Sequence, residues 1–293
     1  MFTLAHLSDI HLAPLPRINP LELMSKRGLG YINWLRKRCK IHRADMLAKV
    51  VTDLTAHKAD HIAVTGDLVN LSLTREFAPA RAFLESLGDP NAVTAVPGNH
   101  DAYVRAAAAF ALRDWNDFMR GDEGESFPFV RRRGPLALIG LSTSLPTLPL
   151  AATGRLHGDQ LGRLGAILDR LGDEQVFRVV LIHHPPTEND NYFRRLKDAA
   201  ALRDLLQRHG AELVLHGHHH VGSVAWLPGP QSRIPIVGVP SASVAPGHHD
   251  DPAGYNLYEI DGAPGAWRCT MVARGWDASE GRIGEIKRLP LMG

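Results

Sequence analysis

The sequence predicts an α/β fold, on three observations. Short apolar runs of strand length alternate with helix-period segments through residues 1 to 101, as βαβαβ, and again between about 136 and 216. These runs end abruptly in glycine, proline or polar residues, as strands of an open sheet do at their carboxyl edge. After residue 220 strand follows strand with no helix between, which reads as antiparallel sheet. The 293 residues are 44% hydrophobic and 22% charged, ordinary for a globular protein with a sizeable core. The whole chain, 1–293, is expected to form one domain with an apolar and basic insertion at about 14–43.

The first strand, Phe2 to Ser8, delivers Asp9 and His11. A spacing of two sets both side chains on one side of an extended backbone, so a carboxylate and an imidazole can converge on one ion; a capped turn would use the same residues. Pro14, Pro16 and Pro20 keep the next stretch extended, and Leu21 to Arg38 reads as one or two short helices broken near Gly28 and Gly30. Between Arg17 and Arg43 eight Lys or Arg face one acid, Glu22, a local charge of +7 in a chain of net charge +2. Interleaved with Leu21, Met24, Leu29, Ile32, Trp34 and Leu35, these charges describe one of two things. Either a helix rests on an anionic membrane surface, or its apolar side packs on the domain or on a second subunit. A nucleic-acid groove is disfavoured, because the basic residues form one short block without a recognisable binding module.

Met46, Leu47, Val50, Val51 and Leu54 recur at helical spacing within Ala44 to Lys58, an amphipathic crossover. The strand His61 to Thr65 then ends in Gly66-Asp67. A helix from Phe77 to Leu87 leads to the strand Ala92 to Val96, which Pro97 and Gly98 stop, displaying Asn99, His100 and Asp101. Ala102 to Arg120 is expected to be helical, Leu136 to Leu141 a strand and Gly158 to Leu171 a second crossover helix. The strand from Arg178 to Ile182 delivers His183-His184-Pro185-Pro186. After a helix at Ala199 to His209, the strand Glu212 to Leu215 delivers His216-Gly217-His218-His219-His220, and alternation puts His216, His218 and His220 on one side. Ser223 to Trp226, Ile234 to Val239, Asn256 to Ile260 and Trp267 to Val272 read as the antiparallel strands.

Seven strand-end groups, Asp9, His11, Asp67, Asn99, His183, His218 and His220, offer two carboxylates, one amide and four imidazoles, without a thiolate. Such donors together suit first-row divalent or trivalent ions: Mn, Fe, Co, Ni or Zn. Seven are too many for one ion and enough for two that share a carboxylate. That is the clamp used for in-line attack at phosphorus, with metals ~3.5–4 Å apart.

Asp9-Ile10-His11, Gly66-Asp67, Gly98-Asn99-His100-Asp101, His183 and Gly217-His218-His219-His220 resemble, in order, the five motifs of the calcineurin-like metallophosphoesterase family, over about three quarters of the chain. The resemblance implies a four-layer αββα sandwich of two mixed sheets with a dinuclear metal site at the strand C-terminal ends. It implies that Asp9, His11 and His220 hold one metal, that Asp67 bridges, and that Asn99, His183 and His218 hold the other. His183 is matched in preference to His184 because the family's ligand stands two before a proline, as His183 does before Pro185. The implied activity is hydrolysis of phosphoric esters, foremost phosphodiesters, by a metal-bridging hydroxide. His100 is then expected to stabilise the transition state or protonate the leaving alkoxide, with Asp101 orienting it. The basic, Trp-containing block after the first motif is placed to present a lipid phosphodiester. Other family members act on soluble cyclic nucleotides, and some keep the fold as a protein-binding scaffold after losing ligands; here every ligand position is filled.

Among the other histidines, His216 is expected to pack behind the ligands, and His184 and His219 to line the substrate entrance. His248-His249-Asp250-Asp251 reads as a loop or a site rim, and His6, His42, His57, His61, His157 and His209 are given no role. Cys39 and Cys269 specify no disulfide framework, and neither a signal peptide nor a membrane span is recognisable. The expected location is cytoplasmic, at most peripheral to the inner face of the membrane. The oligomeric state is left open.

Overall fold

The computed structural model describes residues 1–104, 110–111, 113–156, 158–188, 191–248 and 251–293. Two six-stranded mixed sheets form its centre. In the first, β1 (Phe2–Leu7), β2 (His61–Val64) and β3 (Val93–Ala95) run parallel. In the second, β4 (Phe129–Arg133) pairs antiparallel with β5 (Leu136–Gly140), which runs parallel to β6 (Phe177–Leu181) and β7 (Leu213–His216). Its far edge is made by β8 (Ser223–Leu227), antiparallel to β9 (Ile234–Gly238), itself parallel to β7. The chain then returns to the first sheet, where β10 (Gly254–Ala263), β11 (Ala266–Asp277) and β12 (Arg282–Met292) extend it antiparallel from β1. Strands β4 and β12, both at sheet edges, were not expected from the sequence.

The period of two explains the layers. Leu136, Leu138, Phe177, Val179, Leu181, Leu213 and Leu215 join one core with Leu4 and Leu7 of the first sheet. The intervening Ala137, Ile139, Val180 and Val214 join a separate core with Leu164, Leu168, Leu202 and Leu206. The latter four lie on α4 (Gly158–Asp173) and α5 (Ala199–His209), which cover the outer face of the second sheet. Helices α2 (Ala44–Ala56) and α3 (Thr74–Leu87) bury Met46, Val50, Leu54, Phe77, Ala80 and Leu84 in the core of the first sheet. The order is therefore helix, sheet, sheet, helix.

In the segment 14–43, expected to be an insertion, Asn19 caps a 3-10 turn over Pro20–Leu23, and Ser25 caps α1 (Lys26–Asn33), accepting from the Arg27 N–H at 3.2 Å. A π-helical turn, Trp34–Arg38, and a last turn, Cys39–Ile41, complete it. The break expected near Gly28 and Gly30 is absent, because α1 runs through both. Close approach is what selects these glycines: a β-carbon on Gly28 would meet the Leu23 carbonyl oxygen at 2.7 Å, and one on Gly30 the Tyr103 hydroxyl at 2.6 Å. Of the helix expected over 102–120, residues 105–109 and 112 lie outside the described residues; within its last part stands a 3-10 turn, Asn116–Phe118. No helix among the described residues is long and apolar enough to cross a membrane.

Candidate metal centre

Asp9 and His11 follow β1, Asp67 follows β2, Asn99 and His100 follow β3, His183 follows β6, and His218 and His220 follow β7. All leave the carboxyl ends of parallel strands, five loops from two sheets meeting at one place. The backbone there is strained. Asp9, His11, Asp67, His218 and His220 have φ of 52°, 43°, 56°, 72° and 59°, the left-handed region that side chains other than glycine seldom adopt. Such outliers collect where function over-determines geometry. Two glycines bring the loops together: a β-carbon on Gly98 would lie 2.2 Å from Asp67 Oδ1, and one on Gly217 1.9 Å from Ser8 Oγ and 2.5 Å from Asp9 Oδ2.

The ligating face of three imidazoles is set by what the other ring nitrogen does. His11 Nδ1 donates to the Val69 carbonyl at 3.2 Å, His183 Nδ1 to that of Thr65 at 2.6 Å and His218 Nε2 to that of Arg194 at 2.8 Å. This orients each ring, leaving His11 Nε2 and His218 Nδ1 as lone-pair donors and turning His183 Nε2 toward Asp67 and Asn99. Asp9 Oδ2 accepts the His218 N–H at 2.9 Å, while Asp9 Oδ1 lies 3.1 Å from His220 Nε2. Asp67 stands between the two halves, with Oδ2 3.8 Å from His11 Nε2 and 3.4 Å from His183 Nε2, the latter 3.2 Å from Asn99 Oδ1. Donor atoms of Asp9, His11 and His220 lie within 4.8 Å of one another, as do those of Asp9, Asp67 and His183.

Two of these atoms, Asp9 Oδ1 and His11 Nε2, are buried and make no well-formed hydrogen bond, the His220 ring being the neighbour of the first at 3.1 Å. A buried acceptor left unpaired costs about 1–3 kcal/mol, and a cation satisfies both atoms at once. Mixed imidazole and oxygen donors, orphaned lone pairs and strained ligand backbones fit a pair of first-row metal ions. The charges agree. Burial alone would raise the Asp67 carboxyl, but facing His183 outweighs it and holds it well below the usual range. In return, against the effect of burial, Asp67 and Asp9 raise His183 to about 9. Burial and neighbouring rings push His11 and His218 well below their ordinary value, keeping them in the neutral form that binds a cation.

The structure corrects two expected roles. Asp101 does not orient the His100 ring. Its Oδ2 accepts the N–H groups of Asp67 and Gly98, both at 2.8 Å, and its Oδ1 those of Leu68 at 2.9 Å and Val69 at 3.2 Å. It clamps the β2 and β3 loops together; burial and the Asp67 charge push its carboxyl up to about 7, against the pull of those N–H groups. The His100 ring is set instead by Asn70, whose carbonyl accepts from Nδ1 at 2.5 Å, and by stacking on Tyr103 at 5.4 Å. His184 does not line an entrance either. It shares a 4.8 Å cluster with His183 and His218, yet it is buried and both ring nitrogens are engaged, with Thr143 Oγ1 at 2.7 Å and the Ala152 carbonyl at 3.0 Å.

His216, the last residue of β7, is buried against Gly238 of β9, and His219 is half-buried with its ring 5.5 Å from that of His218. Asp251 Oδ2 accepts the Gly222 N–H at 2.8 Å, a contact between two loops, and His248 is exposed. His157, His249 and Asp250 lie outside the described residues.

Two residues of the insertion reach the centre without having been expected there. His42 is buried with its ring 4.4 Å from that of His11 and 5.6 Å from that of His220, and Arg38 Nη1 is 3.2 Å from His100 Nδ1. Burial and the Arg38 charge suppress protonation of His100 to about 3. A cavity of ≈ 380 Å³ bordered by Asp67, His218, His220 and Arg194 opens here. A second, of ≈ 340 Å³, shares Arg38, Asn99 and His100 with it and is walled by Leu29, Trp34, Tyr103 and Leu150. Another cavity, of ≈ 860 Å³, adjoins the opposite ends of β6 and β7, where Arg178 and Glu212 satisfy each other at 2.8 Å.

No curated protein matches this chain by sequence. Among solved structures it is similar to a dimetal phosphatase from Danio rerio, with a TM-score of 0.65 and 15% identity over 99% of this chain and 98% of that one. It is similar to purple acid phosphatase PPD1 from yellow lupin, with a TM-score of 0.59 and 13% identity over 97% of this chain and 52% of that one. A third likeness is to NAD nucleotidase of Haemophilus influenzae, at 0.52 and 12% over 98% of this chain and 53% of that one. This chain thus spans about half of the latter two, and at these identities the likeness is one of fold. The family model described as calcineurin-like phosphoesterase matches residues 2–222, the stretch that carries all seven donors, and the chain therefore belongs to that family.

Proposed function

We propose that the protein is a metal-dependent phosphodiesterase acting on a lipid phosphodiester, with residues 14–43 as an insertion that completes the site. The observation that carries this reading is the pair of cavities meeting at His100 beside the orphaned Asp9 and His11 donors. A diester has two alcohol arms, and there is room on both sides of His100; the apolar wall of Leu29, Trp34 and Leu150 suits a lipid arm. Asp9, His11 and His220 would hold one cation, Asn99, His183 and His218 another, with Asp67 shared. When bound, such ions supply Lewis acidity toward phosphoryl oxygens and bring the pKa of water near neutrality; manganese is the first to test. The two free cysteines, Cys39 and Cys269, support a reducing cytoplasm as the place of action.

The chain's own side chains do the rest. Arg38 presents a fixed positive charge to the phosphoryl group, and Arg38→Ala is expected to raise KM about tenfold with a smaller effect on kcat, measured by steady-state kinetics. His100, its Nδ1 proton committed to Asn70, has Nε2 for the leaving alkoxide, and the anionic ester raises its low pKa on binding. His100→Ala is expected to keep its metal and lose about 10²–10³ in kcat on an alkyl diester, with little loss on a nitrophenyl diester whose leaving group needs no proton. Equal losses on both would remove the acid role. The reading as a whole is tested by a panel with added manganese: aryl mono- and diesters, cyclic nucleotides and phospholipids. Faster hydrolysis of diesters than monoesters, with a lipid diester best, is expected. Preference for a monoester overturns the diester reading, and preference for a cyclic nucleotide overturns the lipid.

A further inference from the structure

Thirteen large apolar side chains are exposed among the described residues, and nine of them belong to three segments: five at 21–35, two at 148–150 and two at 192–193. Single exposed leucines are ordinary, but a concentration in one region marks a contact surface. The three segments are joined to one another. Lys26 Nζ donates to the Thr147 carbonyl and hydroxyl, both at 3.1 Å, and the Ala152 N–H donates to the Phe193 carbonyl at 2.7 Å. Leu29 and Leu150 wall the same cavity as His100, so the apolar surface adjoins the mouth of the centre.

The insertion is amphipathic in the inverted sense. Arg27 turns inward to the carbonyls of Leu71 and Ser72, Lys26 to Thr147 and Arg38 to His100, while Leu29 and Ile32 of α1 stay 52% and 45% exposed. Outside, Arg17, Arg36, Lys37 and Lys40 accompany these apolar groups. An apolar surface edged by positive charge complements anionic headgroups over acyl chains. A second copy would set one +7 segment against another.

We propose that this collar docks the protein on an anionic lipid bilayer, with the catalytic mouth against the membrane. The docking stands on the surface itself; only its link to a lipid substrate rests on the phosphodiesterase reading. The test is flotation of the full chain with equimolar phosphatidylcholine and phosphatidylglycerol vesicles and with phosphatidylcholine alone. A triple variant, Leu21→Asp, Met24→Asp and Leu148→Asp, changes only exposed side chains. Flotation with anionic vesicles alone is expected, with partitioning of the variant down about a hundredfold. Its hydrolysis of a soluble aryl phosphodiester should stay within about twofold of the parent. No flotation, or equal flotation of the variant, overturns the proposal. So does concentration-dependent dimerisation that the variant abolishes, which would make a second copy the occupant. Vesicle binding without hydrolysis of the soluble diester would leave the docking standing and remove the phosphodiesterase reading.

Discussion

Replacing Asp67 by Asn is expected to strip the protein of metal and activity together while leaving its fold in place. The fold survives because Asn keeps an oxygen for the His100 N–H, which Asp67 Oδ1 accepts at 2.7 Å. The negative charge is lost at a side chain whose Oδ2 stands 3.8 Å from His11 Nε2 and 3.4 Å from His183 Nε2. Losing a shared anionic donor removes several kcal/mol of charge stabilisation, so activity should fall by about 10³-fold or more. The same substitution frees His183 from the charge that holds its proton up to about 9, and this by itself would favour cation binding. Metal loss in the variant is then assignable to the missing donor and not to proton competition. Plasma mass spectrometry of the dialysed protein, circular dichroism and kcat/KM decide it. Two metals per chain and a rate within about tenfold of the parent would exclude Asp67 as the shared ligand.

How much of this was legible beforehand follows burial. Strands with two covered faces, such as β6 and β7, are near-continuous apolar runs, and their ends could be read directly. Edge strands β4 and β12 carry Arg131, Arg132 and Arg133 or Glu285, Lys287, Arg288 and Pro290, the charges and proline by which edges avoid further pairing. That defence erases the alternation a sequence reading needs. At the site, the convergence of the seven candidate donors was legible because short motifs place them at strand ends. Arg38 and His42 were not, since they enter from a segment whose charge pattern reads as surface and whose inward turn depends on α1 passing close to Tyr103. The same limit misassigned Asp101. Proximity in sequence suggested a partner for His100, whereas the chain turn after Gly98 aims the carboxylate at backbone N–H groups of the neighbouring loop.

That clamp makes Asp101 a position where stability and metal affinity should fall together. Asp101→Asn keeps nearly the same shape, yet one of its two oxygens becomes an NH2 group facing N–H donors. Of the four backbone donors now satisfied, those of Asp67 and Gly98 or those of Leu68 and Val69 would be left unpaired in a buried site. At about 1–3 kcal/mol for each unpaired group, the loss should reach about 4 kcal/mol. That is a large share of the 5–15 kcal/mol typical of a folded protein. Because the clamp holds the backbone of Asp67 itself, metal affinity should fall with stability, even though Asp101 touches none of the donor atoms named for the ions. An orienting role toward His100 makes the opposite forecast: full metal content, unchanged denaturation midpoint, and a loss confined to kcat. Urea unfolding of the metal-loaded and chelated variant beside the parent, with metal content measured on the same samples, separates the two. If stability and metal both persist, the loop clamp is not what Asp101 contributes.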